Sequence, residues 1–269
     1  MPGIDMQMIA YRQRAGGHPQ CAAAPRIDGR SAMTTIVESL QLALRLILAV
    51  DAELLHIVGL SLRVSLSACA IGALIGLLAG AWLAVARFPG HAILVWLVNT
   101  LLALPSVVVG LVVYLLLSRS GPLGSWGILF TPKAMVVAQS ILVVPLIAAL
   151  TRRLVLDGLR DGGDQLRSMG AGPLTTALLM LLHERLGAVT ILLTAFGRAV
   201  SEVGAVMVVG GNILGVTRVM TTAIALETAK GDLPLALALG IVLLGVVGLV
   251  NLLIGWLQPR GAVVREVWA

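Results

Sequence analysis

The sequence has little charge, few aromatic side chains and only two cysteines. Charged residues make up 12% of the 269 positions and aromatic residues 4%, whereas a soluble domain carries roughly a quarter charged residues. Polar groups this sparse cannot cover a globular surface, so a soluble enzyme of this length is excluded as the leading interpretation. Cys21 and Cys69 form neither a disulfide framework nor a metal-ligand spacing.

Nucleotide-binding and catalytic motifs are missing as well. The sequence holds no Gly-x-x-x-x-Gly-Lys-Ser/Thr run, and neither of its two lysines, Lys133 and Lys230, follows a glycine. The chain therefore cannot be a P-loop ATPase by itself. The four histidines are scattered without ligand spacing, and no catalytic triad pattern appears. The sequence predicts neither an enzyme nor a metal or cofactor bound by this chain.

Hydrophobic residues and glycine dominate what remains. The hydrophobic residues alone reach 58% of the chain, and there are 30 glycines in addition. This composition suits helices that meet lipid on one side and pack closely on the other. Five stretches approach or exceed the roughly 20 apolar residues that cross a bilayer: 57–86, 92–117, 134–150, 186–209 and 233–256. Residues 39–50 are too short and too polar to span and predict an interfacial helix. We therefore predict an all-α polytopic membrane protein with five transmembrane helices.

The net charge of +6 carries information on orientation. The longest internal polar segment, residues 151–185, holds five arginines, and basic loops lie on the cytoplasmic side of a membrane. We therefore predict a cytoplasmic segment at 151–185, a transmembrane domain over 57–257, an external segment at 33–56 and a cytoplasmic tail at 258–269. Five spans then put the N-terminus outside and the C-terminus inside.

Residues 1–32 conflict with that orientation. Arg12, Arg14, Arg26 and Arg30 would lie on the outer side and reverse the charge bias of the rest of the chain. The hypothesis is that residues 1–32 do not belong to the native protein and that Met33 is its start. The alternative is a genuine disordered extension, and the intact mass of the native protein separates the two.

Two features of the spans carry information beyond membrane insertion, one on packing and one on a kink. In the first span Gly72, Gly76 and Gly80 recur every four residues and share one helix face, which predicts close packing against another helix. In the second span Pro105 and Ser106 predict a kink, because proline removes a backbone hydrogen bond. Such a kink either lines a transport pathway or serves only the packing.

The fourth span contains charges at the depth of the membrane. Arg198 and Glu202 are one helical turn apart and are predicted to pair, with Ser201 and Gly204 beside them. A charge at mid-membrane costs roughly 2.5–3.5 kcal/mol on insertion scales, so neither side chain is expected to face lipid. The segment is either a gate or pathway element or a buried structural ion pair.

The cytoplasmic segment is predicted to form two short helices around residues 170–173. Gly170 ends the first, and Pro173 suits the first turn of the second. A helical hairpin with an apolar face indicates a docking element for another protein. The alternative is a plain connecting loop.

Six runs carry a resemblance to a known family. They are RFPG at 87–90, LPSVVVG at 104–110, SGPLG at 120–124, FGRAVSEVGA at 196–205, GGNI at 210–213 and MTTAIALE at 220–227. Over residues 38–257 the chain resembles the permease subunits of type I ABC importers of the molybdate/tungstate oxyanion group, most closely the tungstate permeases. The family's cytoplasmic motif is Glu-Ala-Ala, three residues, Gly, nine residues, Ile, one residue, Leu-Pro. Aligned on Gly170, only Gly170 and Leu182 match, with Asp164 a conservative replacement.

The resemblance implies a transport function and a set of partners. A homodimer would work with two separate ATPase subunits, which bind ATP and Mg, and an extracytoplasmic binding protein would deliver the oxyanion. Asp164, Gly170, Ala171 and Leu182 are the implied ATPase-docking residues. Selectivity between tungstate and molybdate would reside mainly in the binding protein. The alternative to a tungstate permease is a permease for molybdate, sulfate or another oxyanion.

Two other classes stay open at this point. A stand-alone secondary transporter or channel would need its own coupling-ion site, and the sequence shows no polar cluster in its spans beyond Arg198 and Glu202. A membrane scaffold would need neither the kinked span nor the patterned hairpin. Adjacent reading frames encoding a P-loop ATPase and an exported binding protein would separate these classes.

Overall fold

A computed structural model describes residues 52–257, together with Gln41 and Arg45. Apart from these two residues, the predicted interfacial helix at 39–50 lies outside the described part of the chain. The same holds for the tail at 1–32, the cytoplasmic tail at 258–269 and most of the segment at 33–56. Within 52–257 the structure is helical, with no strand.

Ten α-helices follow one another along residues 52–257. They are α1 (Ala52–Gly72), α2 (Leu78–Val85), α3 (His91–Leu102), α4 (Ser106–Leu117), α5 (Pro132–Ser168), α6 (Pro173–His183), α7 (Arg185–Val200), α8 (Gly204–Gly210), α9 (Met220–Lys230) and α10 (Leu233–Leu257). A π-helical turn, Ala73–Leu77, joins α1 to α2, and a short 3₁₀ turn covers Gly124–Trp126.

The described helices form three uninterrupted apolar spans, and up to five when each sharply bent pair counts as one. The uninterrupted spans are Ala52–Val85, Pro132–Arg160 and Leu233–Trp256. The bent pairs are α3 with α4, at 101°, and α6 with α7, at 77°. The predicted all-α polytopic membrane class is confirmed.

Helix α5 lies at the centre of the bundle and packs against α1, α2, α3, α7 and α8. The predicted glycine face of the first span is part of this packing. A Cβ atom on Gly72 would lie 2.8 Å from Val143 Cγ1, and one on Gly76 would lie 2.8 Å from Ile147 Cβ. These contacts are too tight for any side chain, so the glycines let the two helices approach closely.

The predicted first short helix of the cytoplasmic segment is wrong. Instead, α5 continues without interruption through Ser168, at a rise of about 1.5 Å per residue. The extension is held by packing that the sequence pattern does not reveal: Val155 forms a buried cluster with Ala81 of α2 and with Ala177 and Met180 of α6. Gly170, at a φ of +79°, turns the chain after the helix ends.

Candidate functional site

Breaks in two spans lie side by side within the bundle. One separates α3 from α4 at residues 103–105, and the other separates α7 from α8 at residues 201–203. A Cβ atom on Gly204 would lie 2.7 Å from Ser106 Oγ, and one on Gly110 would lie 2.8 Å from the Ala205 Cα. Gly110 thus lies directly against the backbone of Ala205 at the start of α8, and Gly204 lies against the side chains of Ser106 and Val107 at the start of α4.

The kink predicted at Pro105 is confirmed. It is a complete break between two helices and not a bend within one. Pro105 has an extended ψ of 125° and lacks an N–H, so the helical hydrogen bonds cannot pass through it. Its own carbonyl accepts from the N–H groups of Val108 and Val109, at 3.0 and 3.2 Å, and this starts α4. Pro105 itself is exposed and Ser106 is half-buried.

The second break corrects two predictions about the fourth span. The span is not one helix over 186–209, because α7 ends at Val200 and α8 begins at Gly204. The predicted ion pair is not formed: in the described part of the chain no carboxylate lies within 4.0 Å of the Arg198 guanidinium. A spacing of four residues places side chains on one face only while the helix continues, and here it stops between them.

Glu202 instead caps the helix that follows it. Its Oε1 accepts hydrogen bonds from the backbone N–H of Gly204 at 2.9 Å and of Ala205 at 3.3 Å. The first N–H groups of any helix lack intrahelical acceptors, and a carboxylate there also complements the positive end of the helix dipole. The Glu202 carbonyl accepts from the Thr221 hydroxyl of α9 at 2.8 Å.

Other side chains donate hydrogen bonds to the backbone carbonyls at the end of α7. Gln139 of α5 donates from Nε2 to the Ala199 carbonyl at 3.0 Å. The Ser201 hydroxyl contacts the carbonyls of Gly197 and Arg198 at 2.8 and 3.2 Å. Irregular backbone inside a membrane is tolerated where protein or a cavity meets its polar groups, and these contacts meet that condition.

The surroundings of the break differ in polarity and exposure. Arg198 and Ser201 are exposed, whereas Glu202 is half-buried. A cavity of about 10 Å³ lies between Gln139, Arg198 and Glu202, which is about the smallest volume that holds a water molecule. Gln139 is 4% exposed, and its Oε1 has no hydrogen-bond partner in the described chain. Among the described residues, the site therefore exposes a guanidinium with no carboxylate within 4.0 Å, beside a carboxylate already engaged by the backbone.

Two of these supporting residues were missed by sequence reasoning. Gln139 was detectable as a lone amide in the apolar third span, and Thr221 lies in the run at 220–227. A third omission is a charge cluster near the start of α1. Glu227, with 6% of its side chain exposed, lies 2.9 Å from Lys230 Nζ and 3.7 Å from Arg218 Nη1.

The other predicted site residues lie far along α5 and on α6. Asp164 is on the last turns of α5. Ala171 follows the Gly170 turn and donates its N–H to the Leu166 carbonyl at 3.1 Å. Leu182 is 62% exposed on α6, with Leu174 at 71% and Leu178 at 50% on the same helix face. The opposite face of α6, with Ala177 and Met180, is buried.

The fold and the paired breaks define a class of protein. Broken helices meeting inside an apolar bundle are typical of membrane transport proteins, where irregular backbone lines a substrate path.

Comparisons with known proteins identify the family within that class. The chain is 40% identical to the tungstate uptake system permease protein of Peptoclostridium acidaminophilum, over 85% of this chain and 100% of the relative. It is 42% identical to a probable anion ABC transporter permease of Haloferax volcanii, over 74% of this chain and 88% of the relative. A tungstate uptake permease of Campylobacter jejuni is 42% identical, over 55% and 62%.

The chain therefore belongs to the family of anion ABC transporter permeases, which are multi-pass membrane subunits of uptake systems. No protein-family model matches the sequence.

Proposed function

We propose that this chain is the membrane-spanning subunit that moves an oxyanion, tungstate, into the cell. The observation that carries the proposal is the charge balance at the paired breaks. Arg198 is exposed with no carboxylate within 4.0 Å in the described chain, while Glu202 is bound by the first N–H groups of α8. A compact dianion needs a path with few fixed negative charges. Two of the relatives are named as tungstate uptake permeases.

The pathway and its gate are assigned to the breaks. Pro105 and Ser106 form the edge contributed by the second span, and Arg198, Ser201 and Glu202 form the edge contributed by the fourth. Gly204 keeps the two edges together, because a Cβ atom there would meet Ser106 Oγ at 2.7 Å. A change in the angle between the edges would open or close the path without unfolding either half-helix.

The energy source is a separate ATPase that docks at α6, with Asp164, Gly170, Ala171 and Leu182 at or near the contact. The support is the two-faced character of α6. Its exposed leucines would enter a groove on the ATPase, while Ala177 and Met180 pack on Ala81 and Val155 of the spans. A displacement of α6 by the ATPase would thus be transmitted directly to α2 and α5. ATP and Mg would be bound by the ATPase, with no cofactor in this chain.

The assembly is a homodimer with its N-termini outside and the segment at 151–185 in the cytoplasm. Support comes from the arginines of that segment and from exposed apolar residues beside the breaks, including Val107 at 55% and Val108 at 48%. These side chains would contact the partner subunit, and the outer faces of the remaining spans would contact lipid. An extracytoplasmic binding protein would deliver the anion.

The test is uptake of tungstate, molybdate and sulfate in a strain deleted for this gene. We expect tungstate uptake to be lost on deletion and restored by the wild-type chain. Arg198→Gln should restore about tenfold less, and the matched control Arg119→Gln, an exposed arginine between α4 and α5, should restore it fully. Unchanged tungstate uptake in the deletion strain would contradict tungstate as the substrate. Loss of sulfate or molybdate uptake alone would contradict it as well. Uptake that persists without the ATPase would support a stand-alone transporter.

A further inference from the structure

A second feature of the molecule lies away from the breaks, where three elements meet at the end of two spans. A groove of about 620 Å³ opens between the end of α2, the extension of α5 and the first turn of α6. Its apolar wall includes Val85, Leu156 and Leu159, and its cationic residues are Arg87 and Arg160. The groove thus combines an apolar surface with two guanidinium groups.

Aromatic residues mark the depth of this groove. Beside Arg87, the rings of Trp82 and Phe88 stack with centroids 5.4 Å apart, and His91 meets Phe88 edge-on at 5.7 Å. Trp82 is 42% exposed and Phe88 37%. Exposed aromatic rings at the end of an apolar span are characteristic of the headgroup level of a membrane. The first span ends at Val85, so Arg87 follows directly after the apolar part of the chain, at the level expected for lipid headgroups.

The charges of the groove favour an anion. Among the residues whose side chains the structure describes, no carboxylate lines it, and none lies within 4.0 Å of Arg87. Arg160 is partly engaged, at 3.2 Å from the exposed Asp157. A neighbouring groove of about 630 Å³ has similar size, but its lining combines Arg185 with two carboxylates, Asp157 and Glu184. The comparison singles out the Arg87 groove as the cationic one of the two.

We propose that the Arg87 groove is a binding site for an anionic phospholipid. The guanidinium of Arg87 would hold the phosphate through charge-assisted hydrogen bonds, with Arg160 and the first turn of α6 adding positive potential. The start of an acyl chain would lie against Val85, Leu156 and Leu159. A free tetrahedral anion would fill little of such a volume and would gain nothing from the apolar wall. Basic pockets between spans are known lipid headgroup sites.

The site joins the membrane to the proposed docking helix. A lipid seated there would contact α2, α5 and α6 together, the same elements that form the buried cluster around Val155. Because lipid binding requires only the membrane location, its loss in an experiment would leave the proposed transport function intact.

The experiment measures lipid binding to the full chain purified in detergent. Native mass spectrometry would follow titration with phosphatidylglycerol and with phosphatidylcholine of identical acyl chains. We expect wild-type protein to bind phosphatidylglycerol about tenfold more tightly, because the choline ammonium of phosphatidylcholine offsets the phosphate charge that Arg87 and Arg160 attract. Arg87→Gln should remove this preference and Arg87→Lys should keep most of it. The matched control Arg153→Gln, an exposed arginine of α5 outside the groove, should keep all of it.

Several outcomes would contradict the proposed phospholipid site. Equal affinity of wild-type protein for the two lipids would do so, and this measurement does not depend on any variant folding. An unchanged preference in Arg87→Gln and in the Arg87→Gln, Arg160→Gln double variant would do so as well. Competition by free inorganic phosphate shows whether the groove binds a phospholipid or a small anion. Displacement of the lipid by phosphate alone would show a site for small anions, whereas retention of the lipid supports the phospholipid.

Discussion

Glu202 decides whether the break in the fourth span is held by a helix cap or by an ion pair. Glu202→Ala removes the acceptor of the Gly204 and Ala205 N–H groups, which lie 2.9 and 3.3 Å from Oε1. Glu202→Gln keeps an oxygen in that position and removes only the charge. The two substitutions therefore separate the hydrogen bonds of the cap from its electrostatic contribution.

The expected magnitudes follow from the geometry. Loss of a helix cap costs about 0.5–2 kcal/mol, and each buried donor left without an acceptor costs about 1–3 kcal/mol. Glu202 is only half-buried, so water partly replaces it. We expect Glu202→Ala to lower the free energy of unfolding by about 2 kcal/mol. Glu202→Gln should lower it by about 0.5–1 kcal/mol, the contribution of a charge at a helix N-terminus.

The assay is denaturant unfolding of the purified chain in mixed micelles, arranged as a double-mutant cycle with Arg198→Gln. If Glu202 caps α8, the coupling energy between the two sites should be no more than about 0.5 kcal/mol, the least that residues around one cavity show. An ion pair would instead give a larger coupling energy, and Arg198→Gln would rescue part of the loss in Glu202→Ala. Such rescue, or a Glu202→Ala variant as stable as wild type, would refute the cap.

Two further predictions use pairs of glycines. Gly110→Ala should destabilise the chain by about 1–3 kcal/mol and impair uptake, since its Cβ would lie 2.8 Å from the Ala205 Cα. Gly59→Ala, with open space around the new atom, should be neutral or stabilising in the same unfolding assay, and equal effects would contradict the proposed α4–α8 contact. Gly170→Ser should reduce co-purification of the ATPase, because a side chain at a φ of +79° costs about 1–2 kcal/mol. Gly172→Ser, at an ordinary φ of −71°, should leave co-purification unchanged. An equal loss of co-purification in both variants would show that the Gly170 turn is unimportant for docking.

The positions of two uninterrupted spans could be predicted from the sequence. Runs of apolar residues have no stable place except in lipid or in a core, so the uninterrupted spans at Ala52–Val85 and Leu233–Trp256 lie close to their predicted ranges. The kink at Pro105 was also predictable, because proline lacks the N–H that would continue the helical hydrogen bonds. The close packing of Gly72 and Gly76 followed from their spacing.

The length of α5 and the break after Val200 could not be predicted in this way. Residues 151–168 contain enough polar side chains to suggest an end to the span, but Val155 is fixed by Ala81 and by α6 from distant parts of the chain. Residues 186–209 show an uninterrupted helical pattern. Their break depends on Gln139 and Thr221, which are far away in sequence and provide hydrogen bonds across the bundle.

By itself, the sequence determined that this protein crosses the membrane repeatedly, because sparse charge and long apolar runs exclude a soluble fold. It also determined which residues carry the family resemblance. Only the tertiary structure decided what Arg198 and Glu202 do. Side-chain pairing along a helix depends on the helix continuing, and whether it continues depends on contacts from other helices. The acid is therefore engaged by α8, and the arginine is exposed beside the break.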